Sequence, residues 1–138
     1  MNMRTMQASE VPALYAQTIE QGKGWGAEMP AQVEYMYVLE DEGQVLAIGG
    51  FHLHNLYAAT ASFGLTEAGN KKIVFIIRLL RDWLAQWMSQ QGLRRIQAII
   101  NPEFAEAVRL AEHLGFVREG SLPGYLGARP ADMWARVI

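Results

Sequence analysis

His52 and His54 stand two residues apart in the stretch FHLH. On an extended segment that spacing puts both imidazoles on one face. Imidazole takes up and releases protons near neutral pH, so the pair suits general-base work such as relieving an amine of its proton. A metal site is the weaker use, because no third ligand is spaced to complete it. The chain has no cysteine, which excludes thiol nucleophiles, disulfides and zinc–thiolate centres. A second stretch, TEAGNKK (66–72), sets Gly69 ahead of Asn70, Lys71 and Lys72. Glycine lets backbone approach a ligand closely, and the lysines supply charge for an anion such as phosphate. Both stretches also admit plainer readings: a half-exposed histidine pair beside a hairpin end, and a solvated helix start. His113 reads as a surface residue near a helix C-terminus, where a cation is favoured. Glu28 and Asp132 hint at an amine acceptor.

The elements that must hold these residues follow from periodicity. Residues 2–6 read as a first strand. Ser9, Glu10 and Pro12 then open a helix to about Gln21, through a capping hydroxyl, an acid and a proline in the first turn. GKGWGAEMP, with three glycines and a proline, is loop, where Trp25 and Met29 could touch a ligand. Residues 33–40, 45–54 and 56–65 read as a three-stranded antiparallel meander, with DEGQ as its first turn. TEAGNKK breaks the meander. From Lys72 to about Gln90, Ile73, Ile76, Ile77, Leu80, Trp83, Leu84, Trp87 and Met88 recur at helical spacing, and both tryptophans read as core. RRIQAII is a buried strand, and Asn101 with Pro102 opens a helix that stops at Gly115. FVREG is a strand, SLPGYLGARPAD a loop and MWARVI a last strand. The fold class is α+β: one domain over 1–138, with a mixed, mostly antiparallel sheet of six to seven strands and helices on both faces.

Composition narrows the partners. The chain has 138 residues, 51% apolar and 19% charged, with a formal charge of −2. A mildly acidic chain without a basic stripe is not built for nucleic acid. The longest apolar run is five residues, Ile73 to Ile77, against roughly 20 for a membrane span. MNMRTMQASE holds no signal-peptide core, so a soluble protein of the cytoplasm is expected.

NPEFAEAVRLAEHLGFVREG (101–120) resembles the signature of the GCN5-related N-acetyltransferase (GNAT) family, in which an asparagine-led helix ends in a GF pair and a strand follows. The resemblance covers roughly 33–138 and is greatest to short GNAT-like proteins of phages and prophages, through LGF, REG and the terminal D-x-x-x-A-R-V. It implies an N-acetyltransferase using acetyl-CoA and no metal. It also implies a splay between the fourth strand (56–65) and the fifth (95–101). Main-chain groups left unpaired there would receive the amide-rich arm of the cofactor, and the pyrophosphate would sit at the following helix start. Cofactor contacts are then implied at Phe63, Gly64, Leu65 and Thr66, at Gly69, Asn70, Lys71 and Lys72, and at Asn101 and Phe104. His52 and His54 take the part of base. The family's acid is a tyrosine four residues before the GF glycine; that position is Ala111, leaving Tyr125 as the substitute. The phosphate loop is also poorer in glycine than the family's. The amine acceptor is not specified. Two copies could pair through the apolar MWARVI strand. The competing reading is a GNAT-fold protein without catalysis, with a structural role inside a virion.

Overall fold

The computed structural model describes residues 1–18 and 35–138. The GKGWGAEMP loop with Trp25, Glu28 and Met29 lies outside the described residues, and the first helix, expected to run to about Gln21, ends at Tyr15 with Ala16 as its C-cap. Seven strands form one mixed sheet: β1 (Asn2–Thr5), β2 (Tyr35–Asp41), β3 (Gln44–Leu53), β4 (Ala58–Leu65), β5 (Arg95–Ile100), β6 (Val117–Ser121) and β7 (Asp132–Val137). Their order is β1-β2-β3-β4-β5-β7-β6. β4 and β5 run parallel, whereas β1–β2, β2–β3, β5–β7 and β6–β7 are antiparallel. The helices are α1 (Val11–Tyr15), α2 (Glu67–Lys71), α3 (Ile73–Gln91) and α4 (Ala105–His113). This is the α+β class and the mixed sheet expected from the sequence. By internal contacts the chain gathers into two compact units, Met1–His52 with Ala61–Ile76, and Leu53–Thr60 with Ile77–Ile138.

In the first unit, Met6, Leu14, Val38 and Ile48 form a core, with Val11, Met36 and Val45 packed against it. The first helix starts differently from its sequence signals. Ser9 falls in a 3₁₀ turn over Ala8–Glu10, and Glu10 is the N-cap, without a side-chain hydrogen bond. Pro12 does lie in the first turn. The largest departure is TEAGNKK, which is not a breaker loop but the short helix α2 with Thr66 as its N-cap. Thr66 followed by Glu67 is a helix-start signal, and Gly69 masks it.

In the second unit, Leu80, Leu84, Trp87 and Met88 of α3 are buried at the expected spacing. Trp83 is only half-buried, stacked on Trp87 with centroids 6.1 Å apart. Asn101 does not open α4 directly. Its Oδ1 accepts the Glu103 N–H (2.9 Å) and its carbonyl accepts the Phe104 N–H (3.0 Å), forming a turn ahead of a helix that begins at Ala105. Pro102 disfavours helical backbone at the residue before it, which holds Asn101 outside the helix. The other end of α4 is as expected. Gly115 takes φ +89°, the Phe116 N–H reaches the Ala111 carbonyl (2.9 Å), and the Gly115 N–H reaches that of Glu112 (3.1 Å). This is a Schellman cap, and it turns Phe116 into the core at 7% exposure. β7 is laddered to β5 on one side and β6 on the other. MWARVI is therefore not an edge strand, and the edge beside it is β6.

Candidate functional site

The β4–β5 ladder is short. It consists of Ala58↔Arg95, Ala59↔Ile96 and Thr60↔Gln97. β4 continues to Leu65 and β5 to Ile100, but beyond those pairs the two strands share no ladder. β5 is instead paired with β7 along its whole length. Over Ala61–Gly64, β4 therefore lies beside β3 and has no ladder partner on its other edge among the described residues. The ladder between the fourth and fifth strands thus ends before either strand does, as the expected splay requires.

The end of β4 is fixed to β3 through Thr66. Its N–H bonds the Leu46 carbonyl at 3.0 Å. Its hydroxyl lies 2.8 Å from the Val45 carbonyl and 3.1 Å from that of Leu46. The same oxygen accepts the Gly69 N–H at 3.0 Å. Gly69 is buried, and a Cβ placed on it would lie 1.9 Å from the Leu46 oxygen. Glycine is thus required at 69 by the approach of α2 to the β3 backbone, and the amide offered to phosphate from the sequence is taken by Thr66. Gly64 is also closely packed, since a Cβ there would lie 2.7 Å from Thr18 Cγ2. Leu65 and Thr66 are buried, and Phe63 is half-buried. The lysines divide. Lys72 Nζ is 2.7 Å from Asp41 Oδ2; Lys72 holds the Asp41 carboxyl below its ordinary range, and Asp41 raises the Lys72 ammonium above its own. Lys71 and Asn70 are exposed, and Lys71 has no acidic partner among the described residues.

The remaining candidates occupy different places. β3 ends at Leu53, so His54 lies in the bend beyond it, where its N–H bonds the Ala58 carbonyl (2.9 Å) and closes the hairpin. His54 Nε2 is 2.5 Å from Thr60 Oγ1. His52 is half-buried one alternation back along the strand. Asn101 is 1% exposed and its Oδ1 is taken by the turn before α4. Phe104 is half-buried at the N-cap of α4. Tyr125 is 59% exposed in the loop between β6 and β7. Ala111 is buried and apolar, so that position offers no acid. Asp132, offered to an amine from the sequence, is held by Arg118 at 2.9 and 3.3 Å. Thr60 and Gln97 were not singled out from the sequence, although each breaks an apolar strand run with a polar side chain facing its ladder partner. Among the described residues no cluster of His, Asp or Glu could hold a metal, and no helix is long and apolar enough to cross a membrane.

No protein-family model and no curated protein sequence matches this chain. Solved structures do. A spermidine N-acetyltransferase from Vibrio cholerae superposes with a TM-score of 0.73 at 16% identity, covering 99% of this chain and 95% of that one. The chain has the fold of the N-acetyltransferases. An aminoglycoside 6'-acetyltransferase of type Ii gives a TM-score of 0.71 at 17% identity, over 99% of this chain and 97% of that one. A protein assigned as a phosphinothricin N-acetyltransferase gives 0.73 at 23%, over 99% and 98%.

Proposed function

We propose that the protein is an acetyl-CoA-dependent N-acetyltransferase that transfers the acetyl group to an amine by direct attack. The observation that carries this reading is the end of the β4–β5 ladder at Thr60↔Gln97. It leaves Ala61–Gly64, about 13 Å of strand at ~3.3 Å per residue, with main-chain groups for the amide-rich arm of the cofactor to pair with, as an added strand would. Phe63 and Gly64 supply that backbone; Leu65 and Thr66, assigned by resemblance, hold the end of the strand, where the Thr66 N–H bonds the Leu46 carbonyl and the Thr66 carbonyl accepts the Asn70 N–H. The proposed pyrophosphate position is at the Glu67 and Ala68 amides that open α2, since the Gly69 amide is taken by Thr66, with Asn70 and Lys71 beside it. Gly69 serves this start by letting it dock on β3. Lys72, paired with Asp41, contributes less charge than its neighbour. Asn101 and Phe104 are assigned to the cofactor's flank by resemblance alone. His54, with His52, is the proposed base and Tyr125 the proposed acid. Two copies that paired edge to edge at this end of the sheet would do so through β6 rather than β7.

Isothermal titration with acetyl-CoA tests the reading. Saturable binding is expected, and no heat at millimolar cofactor would overturn it. Lys71→Glu should raise Kd about fivefold, as the loss of ~1 kcal/mol from an exposed charge requires.

A second reading, a catalytically silent protein of the same fold, is favoured by three observations. Ala111 is buried and apolar, Lys72 is neutralised by Asp41, and the Gly69 amide is occupied by Thr66. The same titration separates the two.

A further inference from the structure

The second unit carries a chain of polar side chains that crosses β6, β5 and β4 and ends on a histidine. Glu119 on β6 takes both terminal nitrogens of Arg95 on β5, at 2.9 and 2.5 Å. Arg95 Nε meets Gln97 Oε1 at 3.0 Å. Gln97 Nε2 meets Thr60 Oγ1 on β4 at 3.1 Å. Thr60 Oγ1 meets His54 Nε2 at 2.5 Å. Gln97 and Thr60 are ladder partners, and Ala58, which bonds His54, is the partner of Arg95. The β4–β5 register and the hairpin-closing bond of His54 thus set the order of Arg95, Gln97, Thr60 and His54.

Its direction is fixed by chemistry. Arginine has donors only, so the atom of Gln97 that faces it must be the carbonyl oxygen. The amide nitrogen of Gln97 then faces Thr60 and donates to it. Thr60 has one hydroxyl proton, and among the described residues its hydroxyl has only Gln97 and His54 as partners. Gln97 offers no acceptor there, so His54 Nε2 is the acceptor in reach of that proton among the described residues. We infer that this chain locks neutral His54 as the Nδ1–H tautomer, with Nε2 held as a proton acceptor through Thr60, and that Thr60 and Gln97 are its positioning residues.

The consequence for the reaction rests on the acetyltransferase reading. A proton leaving an amine, directly or through one water, would add to the open lone pair of Thr60 Oγ1. The hydroxyl proton of Thr60 would pass at once to His54 Nε2, leaving imidazolium and a restored hydroxyl. Of the two histidines, this singles out His54.

The tautomer is read by long-range ¹H–¹⁵N correlation on histidine-labelled protein at a pH where the rings are neutral, with His54 assigned through its disappearance in His54→Asn. The unsubstituted protein should show Nδ1 protonated and Nε2 with the shift of an acceptor nitrogen. Thr60→Val should release the lock and bring up the Nε2–H form. Should Thr60→Val not fold, Gln97→Leu removes the donor that orients Thr60 and should also mix the tautomers. A protonated Nε2 in the unsubstituted protein, or a tautomer unmoved in a folded variant, overturns the inference. In the activity arm, Thr60→Val should lower kcat at least tenfold and leave the Kd for acetyl-CoA unchanged; an unchanged kcat removes the relay role. A protein that shows the Nδ1–H tautomer but binds no acetyl-CoA would sink the acetyltransferase reading and leave the tautomer assignment standing.

Discussion

At Gly69 the absence of one methyl group decides whether α2 can lie on β3. The atom it would strike is the Leu46 carbonyl oxygen, 1.9 Å from the position of a Cβ, and a carbonyl in a strand cannot swing aside as a side chain can. Gly69→Ala should therefore destabilise the protein by about 3 kcal/mol, at the upper end of overpacking costs. Urea unfolding measures it, and a change under 1 kcal/mol would mean that the backbone yields. Thr66→Val is the complementary case. It keeps the shape but removes the acceptor for the Gly69 amide and the donor to β3, at a cost of about 1–2 kcal/mol. Because Gly69 acts through packing, its substitution by any side chain cannot distinguish a phosphate loop from a connector. Lys71, exposed and without an acidic partner among the described residues, can.

Element by element, the sequence was most legible where periodicity was strong. The α3 stripe from Ile73 to Met88 and the Gly115 cap were readable because each rests on local rules of spacing and φ. The start of α2 was not, since one glycine outweighed the Thr66–Glu67 pair, and its reason for being glycine is a carbonyl on another strand. Asn101 reads as a helix opener because its role is local, but the turn it makes delays the helix by one turn. His54 was legible as a candidate, whereas Thr60, Gln97, Arg95 and Glu119 were not, because only strand register brings them into line. Ion pairs between elements give a pH dependence with a definite sign. Hydrogen bonds from Arg95 to Glu119, from Lys72 to Asp41, and from Arg4 to Glu10 hold those carboxyls below their ordinary range. Depressed carboxyls contribute stability above their unfolded pKa, about 4, and lose it as pH falls through the folded values. Tm should hold from neutrality to about pH 5 and drop below about pH 4. Lys72→Met should flatten the part due to Asp41, and an identical acid profile would remove that pair from the account.

For the whole molecule, the main chain says more than the side chains. Strand order, the parallel β4–β5 pair and its early end are set by backbone pairing, which many sequences can satisfy. That is why the fold is shared at identities of 16–23% while the residues that would choose an amine are this chain's own. The early end of the ladder has one more consequence. ASFGL, the part of β4 that β5 leaves, is uncharged, free of proline and largely apolar, the makeup of a segment that templates strand addition from other molecules. Natural sheets usually guard such a margin with a charged residue such as lysine, and ASFGL holds none. Without a ligand laid along it, warming should drive the protein into β-rich aggregates seeded there. Ser62→Lys should slow light scattering during a thermal ramp, and saturating acetyl-CoA should slow it in the unsubstituted protein.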